Sequence, residues 1–327
     1  MATVTTPAGP DSRLTARREL EKQVTERDRR RRRRETRGGW GLLSPATVIL
    51  AVMVGYPAVL MVIQSFTDYT VKNKVQGTTP DFIGIQNYID LFTKSDFPAV
   101  LARSLALMVV LTVLILGLGV VIAVLMTRLG KVWRVVVSVG LLLAWAMPPL
   151  TATVVWGWMF DTQYGLVNWM LNTLTGTTEW TNHSWLLEPL SFFFVLTIIV
   201  VWQGIPFVAF TTYAGLGQVP AEVLEAASLD GASGLRRFRF IVFPYLRSIL
   251  TVVLVLQIIW NLRIFTQVYS LQTRGGVAAD TNVLGTYLFR QGVGEFGATA
   301  AIGVFMVILL LVLSWGYVRT TLKEEEL

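Results

Sequence analysis

Six long apolar runs, separated by polar stretches, dominate the chain. They cover roughly Leu42–Phe66, Leu105–Thr127, Val135–Met159, Leu190–Tyr213, Ile249–Tyr269 and Thr299–Tyr317. A helix needs about 20 apolar residues to cross a bilayer core, and each run is long enough. None shows the short alternating pattern of barrel strands. The pattern therefore predicts an all-α polytopic membrane protein with six transmembrane helices. Two runs contain helix breakers: Trp145, Met147, Pro148 and Pro149 in the third, and Trp202, Gln203, Gly204, Pro206 and Phe207 in the fourth. Each is expected to interrupt its helix near mid-membrane, where transporter binding sites tend to form.

Charge sets the expected orientation. Eight arginines lie between Arg27 and Arg37, just ahead of the first run. They read as part of a basic, disordered cytoplasmic tail over residues 1–40, since positive flanks stay inside. Alternation from there puts Arg128, Lys131 and Arg134 inside, with Arg236, Arg237, Arg239 and Arg247. The 160–189 loop, with no Lys or Arg, falls outside. Both termini, including the short 321–327 tail, are expected in the cytoplasm, with residues 41–320 as the membrane domain.

Composition narrows the chemistry. There is no cysteine and one histidine, His183, so thiol chemistry and a His-rich metal site are excluded. No G-x-x-x-x-G-K-[ST] occurs; "RLGKVW" lacks the first glycine and the final hydroxyl residue, so no ATP site of that type is expected. Carboxylates are nearly absent from the apolar runs, which argues against a proton- or sodium-driven carrier built on membrane acids. A membrane enzyme such as a glycosyltransferase would need a polar, usually acidic cluster, and no D-x-D pair appears.

The polar stretch between the fourth and fifth runs, "PAEVLEAASLDGASGLRRFRFIVFP", is the most specific feature. Pro220 suits a helix start, and Ala, Leu and Glu favour the helix that follows. Asp230-Gly231 then turns the chain, and a second helical run leads to Pro244. This predicts two short helices joined by a kink on the cytoplasmic side, with Pro244 opening the next span. Ala226, Ala227 and Gly231 would let another surface approach closely.

The spacing E-A-A-x3-G-x9-I-x-x-P, carried by Glu225, Ala226, Ala227, Gly231, Ile241 and Pro244, resembles the "EAA" loop of ATP-binding-cassette (ABC) importer permeases. Phe243 stands where leucine is more usual. "LLSPATVILAVMVGYPAVLMVIQSFTDY", "FIGIQNYIDLF" and "AWAMPPLTATVVWGWMFDTQYGLVNWML" are similar to blocks of sugar-importer permeases of the maltose-transporter F type. The similarity runs from about Gly41 to Arg319. It implies a type I importer fold and a half-share of a solute pathway, completed by a second, different permease. Two cytoplasmic ATPase subunits would hold ATP and Mg, and an extracytoplasmic protein would deliver a sugar or oligosaccharide. No cofactor is expected in this chain and no catalysis.

The same resemblance assigns ATPase coupling to Glu225, Ala226, Ala227, Asp230 and Gly231 within the loop at 217–247. It assigns solute contact to Trp145, Trp202, Gly204, Phe207, Gln257, Trp260 and Asn261. Aromatic faces and amides together suit a sugar, and Gln257 and Asn261 share a helix face. Gln203 and Arg263 are further candidates for the pathway wall, Arg263 because a charge inside a span is costly unless it has a use. The segment "LQTRGGV" departs from the family's Gly-Gly-Pro at Val277. The loop alone leaves open a non-sugar solute such as a polyamine or phosphate.

Overall fold

The computed structural model describes residues 43–324, with side chains to residue 315. The expected 1–40 tail, with its basic run Arg27–Arg37, and the final residues 325–327 lie outside the described residues. The described residues are helical and contain no strand, only isolated bridges at Thr67 with Phe82 and Thr70 with Glu295. Among the described residues five helices are long and apolar enough to span a membrane, six if a sharply bent pair counts as one span.

The first unit ends at Ile63, and its described part is helix α1, Leu43–Gln64, up to that residue. In it, residues Ala51–Gly55 form a π-turn closed by Tyr56 N–H to Ala51 O, one residue before Pro57. The same device recurs at Phe238–Val242, closed by Phe243 N–H to Phe238 O, one residue before Pro244. A proline ring collides with the carbonyl four residues back. Widening the preceding turn moves that carbonyl aside, so both helices pass their prolines unbroken.

In the second unit, α2 (Phe97–Arg128) runs along α5 (Pro189–Leu216), after the bent pair α3 (Lys131–Ala146) and α4 (Pro149–Met159). The α2–α5 seam holds Leu111, Ile115, Leu196, Ile199 and Val208, all buried. Gly119 makes the close approach possible, because a Cβ there would lie 2.6 Å from Val208 Cβ. Helix α2 begins eight residues earlier than the hydropathy boundary at Leu105. Pro98 in its first turn and buried Phe97 and Val100 extend it into a second cluster with Leu284, Tyr287 and Ile302. Ser104 Oγ accepts from Leu284 N (2.9 Å), and Arg103 Nη1 donates to Asn282 O (2.8 Å).

Three expectations change. The third span does break at Met147-Pro148, by 103°. The fourth does not break: α5 is continuous through Gly204 and buried Pro206, because its neighbours hold the helix where the proline removes a hydrogen bond. The fifth span does break. Helix α7 (Phe243–Leu262) ends at Arg263, and α8 (Thr266–Gln272) starts after Phe265, which has φ −133° and ψ −59°. There is no separate second loop helix either. After α6 (Ala221–Leu229), the turn Gly234–Arg237 leads through the π-turn directly into α7. The last span is α9, Phe296–Glu324.

Candidate functional site

The two breaks face one another across a cavity of about 360 Å³. The α3–α4 break supplies Trp145, Met147 and Pro149, and the α7–α8 break supplies Arg263, Phe265 and Gln267. Helix α5 contributes Gln203, Gly204 and Phe207 from between them, and α7 contributes Gln257, Trp260 and Asn261. Of the nine residues expected at a solute site or pathway wall, eight line this one cavity. The exception is Trp202, which points to the other side of α5 and packs edge-on against Trp156, their ring centroids 5.8 Å apart.

The polar groups have distinct positions. Gln203 Nε2 donates to Met147 O (3.1 Å), so an amide caps the carbonyl that the bend releases. Gln267 Nε2 reaches Gln203 Oε1 at 3.4 Å. Asn261 is buried and its Nδ2 donates to Thr112 Oγ1 (3.0 Å), which ties α7 to α2. Gln257 is 2 % exposed, and among the described residues its Nε2 is buried without a partner. Burying an amide N–H unpaired costs about 1–3 kcal/mol, so such a group is normally committed to a ligand, a partner chain or water. Phe207 and Trp260 meet edge-on at 5.1 Å between centroids, while Trp145 is largely exposed.

Gly204 has a packing role beside its place in the wall. A Cβ there would fall 2.7 Å from Ile115 Cδ1, so the glycine lets α2 approach α5 behind the cavity. Arg263 is exposed at the C-terminus of α7, where a cation also complements the helix dipole. The break beside it is braced from outside: a Cβ on Gly285 would lie 2.8 Å from Ile264 O, so the Leu284–Gln291 helix abuts the interrupted backbone. Sequence reasoning missed Gln267 and Phe265, since neither glycine nor proline marks the break. The polar spacing Gln257, Asn261, Arg263, Gln267 is the signal that was available.

The loop after α5 forms a second centre. Helix α6 ends in a left-handed Gly231 (φ +71°), with Asp230 N–H to Ala226 O and Ala232 N–H to Ala227 O, both 3.0 Å. That bond pattern satisfies the last carbonyls of α6 and turns the chain. Ser233 then caps the next turn, accepting from Arg236 N. Glu225, Ala226 and Asp230 are exposed, as are Leu229 and Leu235. Ala227 is buried and faces inward, so the free small-residue surface is narrower than the sequence alone predicts. Val219, Val242 and Leu246 form a small core that seats α6 on the base of α7.

Comparison with known proteins places this architecture. Residues 115–319 match the family described as "Binding-protein-dependent transport system inner membrane component". The chain is 39% identical to the diacetylchitobiose uptake system permease protein DasB of Streptomyces coelicolor, covering 87% of each. It is 30% identical to the trehalose/maltose transport system permease protein MalF of Thermococcus litoralis, over 88% of this chain and 94% of the relative. A chain from the crystal structure of a bacterial alginate ABC transporter, in complex with alginate pentasaccharide-bound periplasmic protein, shares the fold. Its TM-score is 0.71 at 18% identity, covering 84% of this chain and 90% of that one. The match over residues 115–319, together with spans bent and interrupted around a common cavity, makes this chain a multi-pass membrane permease belonging to the inner-membrane components of binding-protein-dependent transport systems.

Proposed function

We propose that this chain forms half of the pathway through which an ABC importer takes up a sugar or oligosaccharide. The observation that carries the reading is the cavity itself: four amides (Gln203, Gln257, Asn261, Gln267) and the rings of Trp145, Phe207 and Trp260 converge between two interrupted spans. Amides bond hydroxyl rims, and aromatic faces cover the C–H surface of a sugar ring. Relatives named for diacetylchitobiose and for trehalose/maltose support the same solute class. Arg263 on the wall favours, as a second reading, a solute that bears an acid group, such as an acidic sugar or phosphate. It disfavours a polyamine.

In this reading the loop at 217–247 lies in the cytoplasm, with both termini, and α6 docks on a separate ATPase subunit that binds ATP and Mg. The chain itself is not an enzyme. Glu225, Ala226, Asp230 and Gly231 present the docking surface, and Ala227 anchors it to the base of α7. Because the Val219, Val242 and Leu246 core seats α6 on the base of α7, movement of α6 is carried along α7 to Gln257, Trp260 and Asn261. A second, different permease completes the pathway, and an extracytoplasmic binding protein delivers the solute. The test is mild-detergent copurification from native membranes, followed by a thermal-shift sugar screen on the copurifying binding protein. An ATPase and a sugar-responsive binding protein are expected. Copurification without any ATPase would overturn the proposal.

A further inference from the structure

Two arginines with no part in the first cavity line a second one beneath the loop. Arg128 ends α2, and Arg237 ends the turn that follows α6. This second cavity is about 350 Å³, and its other walls include Val124, Leu224, Phe238 and Val242. Arg128 reaches across to the loop, for a Cβ on Gly234 would sit 3.9 Å from its Nη2. Arg237 Nη1 donates to Ser228 Oγ (2.8 Å), but its Nε is buried without a hydrogen-bond partner. Among the described residues neither guanidinium forms an ion pair. Two adjacent cations, one with a buried idle donor, form a site that an oxyanion would complete, because planar guanidinium groups match phosphate geometry.

The surroundings specify what carries the anion. Phe238 also lines a neighbouring apolar groove of about 400 Å³, formed by Leu116, Gly117, Val120, Leu254 and the stem of Arg247. Along α2 the two spaces are lined by residues 128, 124, 120, 117 and 116, which follow one helix face. From Leu116 to Arg128 is about 18 Å of helix, close to the depth of one leaflet of a ~30 Å hydrocarbon core. Gly117 faces the open space of this groove, since a Cβ there would meet nothing within 4 Å. A paired cation at one end and a leaflet-deep apolar channel beyond it have the complementarity of an amphiphile. A carboxylate from another protein would use the arginines and leave the groove empty.

We propose that this is a binding site for an anionic phospholipid. Its phosphodiester lies between Arg128 and Arg237, and an acyl chain lies along Val120, Gly117 and Leu254. The headgroup then bridges the end of α2 to the loop, bracing the junction on which α6 is mounted.

The test uses the full chain, delipidated in detergent and offered dioleoylphosphatidylglycerol, dioleoylglycerol or inorganic phosphate. Bound lipid is read by native mass spectrometry. The phosphatidylglycerol adduct is expected to persist and the dioleoylglycerol adduct to be lost. Arg128→Gln and Arg237→Gln should each weaken retention about tenfold or more, the factor one charge-assisted hydrogen bond supplies. Ser228→Ala removes Arg237's neutral partner and should leave retention unchanged, which separates an anion-binding role from a folding role. Gly117→Phe fills the groove without touching either arginine. It should lower phosphatidylglycerol retention with no change in unfolding midpoint, even where an arginine variant fails to fold. Equal retention of the two lipids, full retention in Gly117→Phe, or complete displacement of phosphatidylglycerol by millimolar inorganic phosphate would overturn the proposal.

Discussion

Gln257 offers a test in which stability and transport should move in opposite directions. Its Nε2 is buried and unpaired among the described residues, on the wall of the proposed solute cavity. Replacing it with methionine keeps an unbranched side chain of similar length and removes the polar end. If the empty protein bears the unpaired group at a cost of ~1–3 kcal/mol, Gln257→Met should recover much of that cost. Taking about 1–2 kcal/mol as the net gain, the unfolding midpoint should rise by roughly 2–6 °C for a chain of this size. The solute, in contrast, loses a donor. A neutral hydrogen bond contributes about 0.5–1.5 kcal/mol, so the KM for uptake should rise roughly 2- to 10-fold, with the maximal rate less affected. The assay is paired: thermal unfolding of the purified permease, and solute uptake by the complete importer in proteoliposomes. A lower midpoint would mean that the amide is already bonded in the working protein. A higher midpoint with an unchanged KM would mean that the donor does not face the solute. Either result refutes the reasoning.

Gly231 sits at φ +71° with open space around it within this chain, so alanine there adds backbone strain without an internal clash, whereas proline would also lose the Gly231 N–H bond to Ser228 O (3.1 Å). Alanine should cost about 1–2 kcal/mol at that turn. Transport per ATP hydrolysed should fall in the order asparagine, alanine, proline, while the amount of protein in the membrane stays constant. Gly119→Ala places a Cβ 2.6 Å from Val208 Cβ, and should destabilise by roughly 1–3 kcal/mol. Thermal unfolding should show the loss, and adding Val208→Ala should restore most of it. In the 160–189 loop, buried Asn168 accepts from Trp185 Nε1 (2.6 Å) and donates to His183 O (2.9 Å). Asn168→Leu leaves both groups unpaired, and should cost about 2–4 kcal/mol if neither finds water. Red-shifted tryptophan emission and faster proteolysis of the loop would register it; unchanged spectra would count against the anchoring role.

The spans, the bend of the third and the turn of the loop were legible in the sequence because each has a local cause, whereas most of the cavity wall came from the family resemblance. Hydropathy marks a span by length, Met147-Pro148-Pro149 forces a bend through steric rules, and the Asp230-Gly231 turn follows from glycine's access to left-handed φ. What failed to read correctly depends on neighbours. Pro206 looks like a breaker in isolation, yet it lies buried in α5, whose length packs against α2, α3 and α7. Trp202 looks like a ligand residue beside Gln203, but one residue along a helix is a rotation of about 100°, enough to turn it to Trp156. The break at Arg263–Phe265 carries no breaker residue; what marks it is a neighbour, Gly285 of another helix, packed against its backbone at Ile264 O.

The two breaks therefore differ in origin, and that difference bears on mechanism. The α3–α4 bend is written into two prolines and is further fixed by Gln203 capping Met147 O. It should persist in every state of the transporter. The α7–α8 break is held by packing against Leu284–Gln291, and α7 is the helix joined rigidly to the loop. If the loop moves as proposed, the constant wall should be the proline-fixed one, and the wall that shifts should be the one bearing Gln257, Asn261 and Arg263. Solute affinity would then be altered by displacing three polar groups past a fixed wall of Trp145 and Gln203. A disulfide engineered between α5 and α7 should accordingly abolish transport, whereas one between α3 and α5 should be tolerated. Transport surviving the first or lost in the second would show that the proline-bent wall is the moving part.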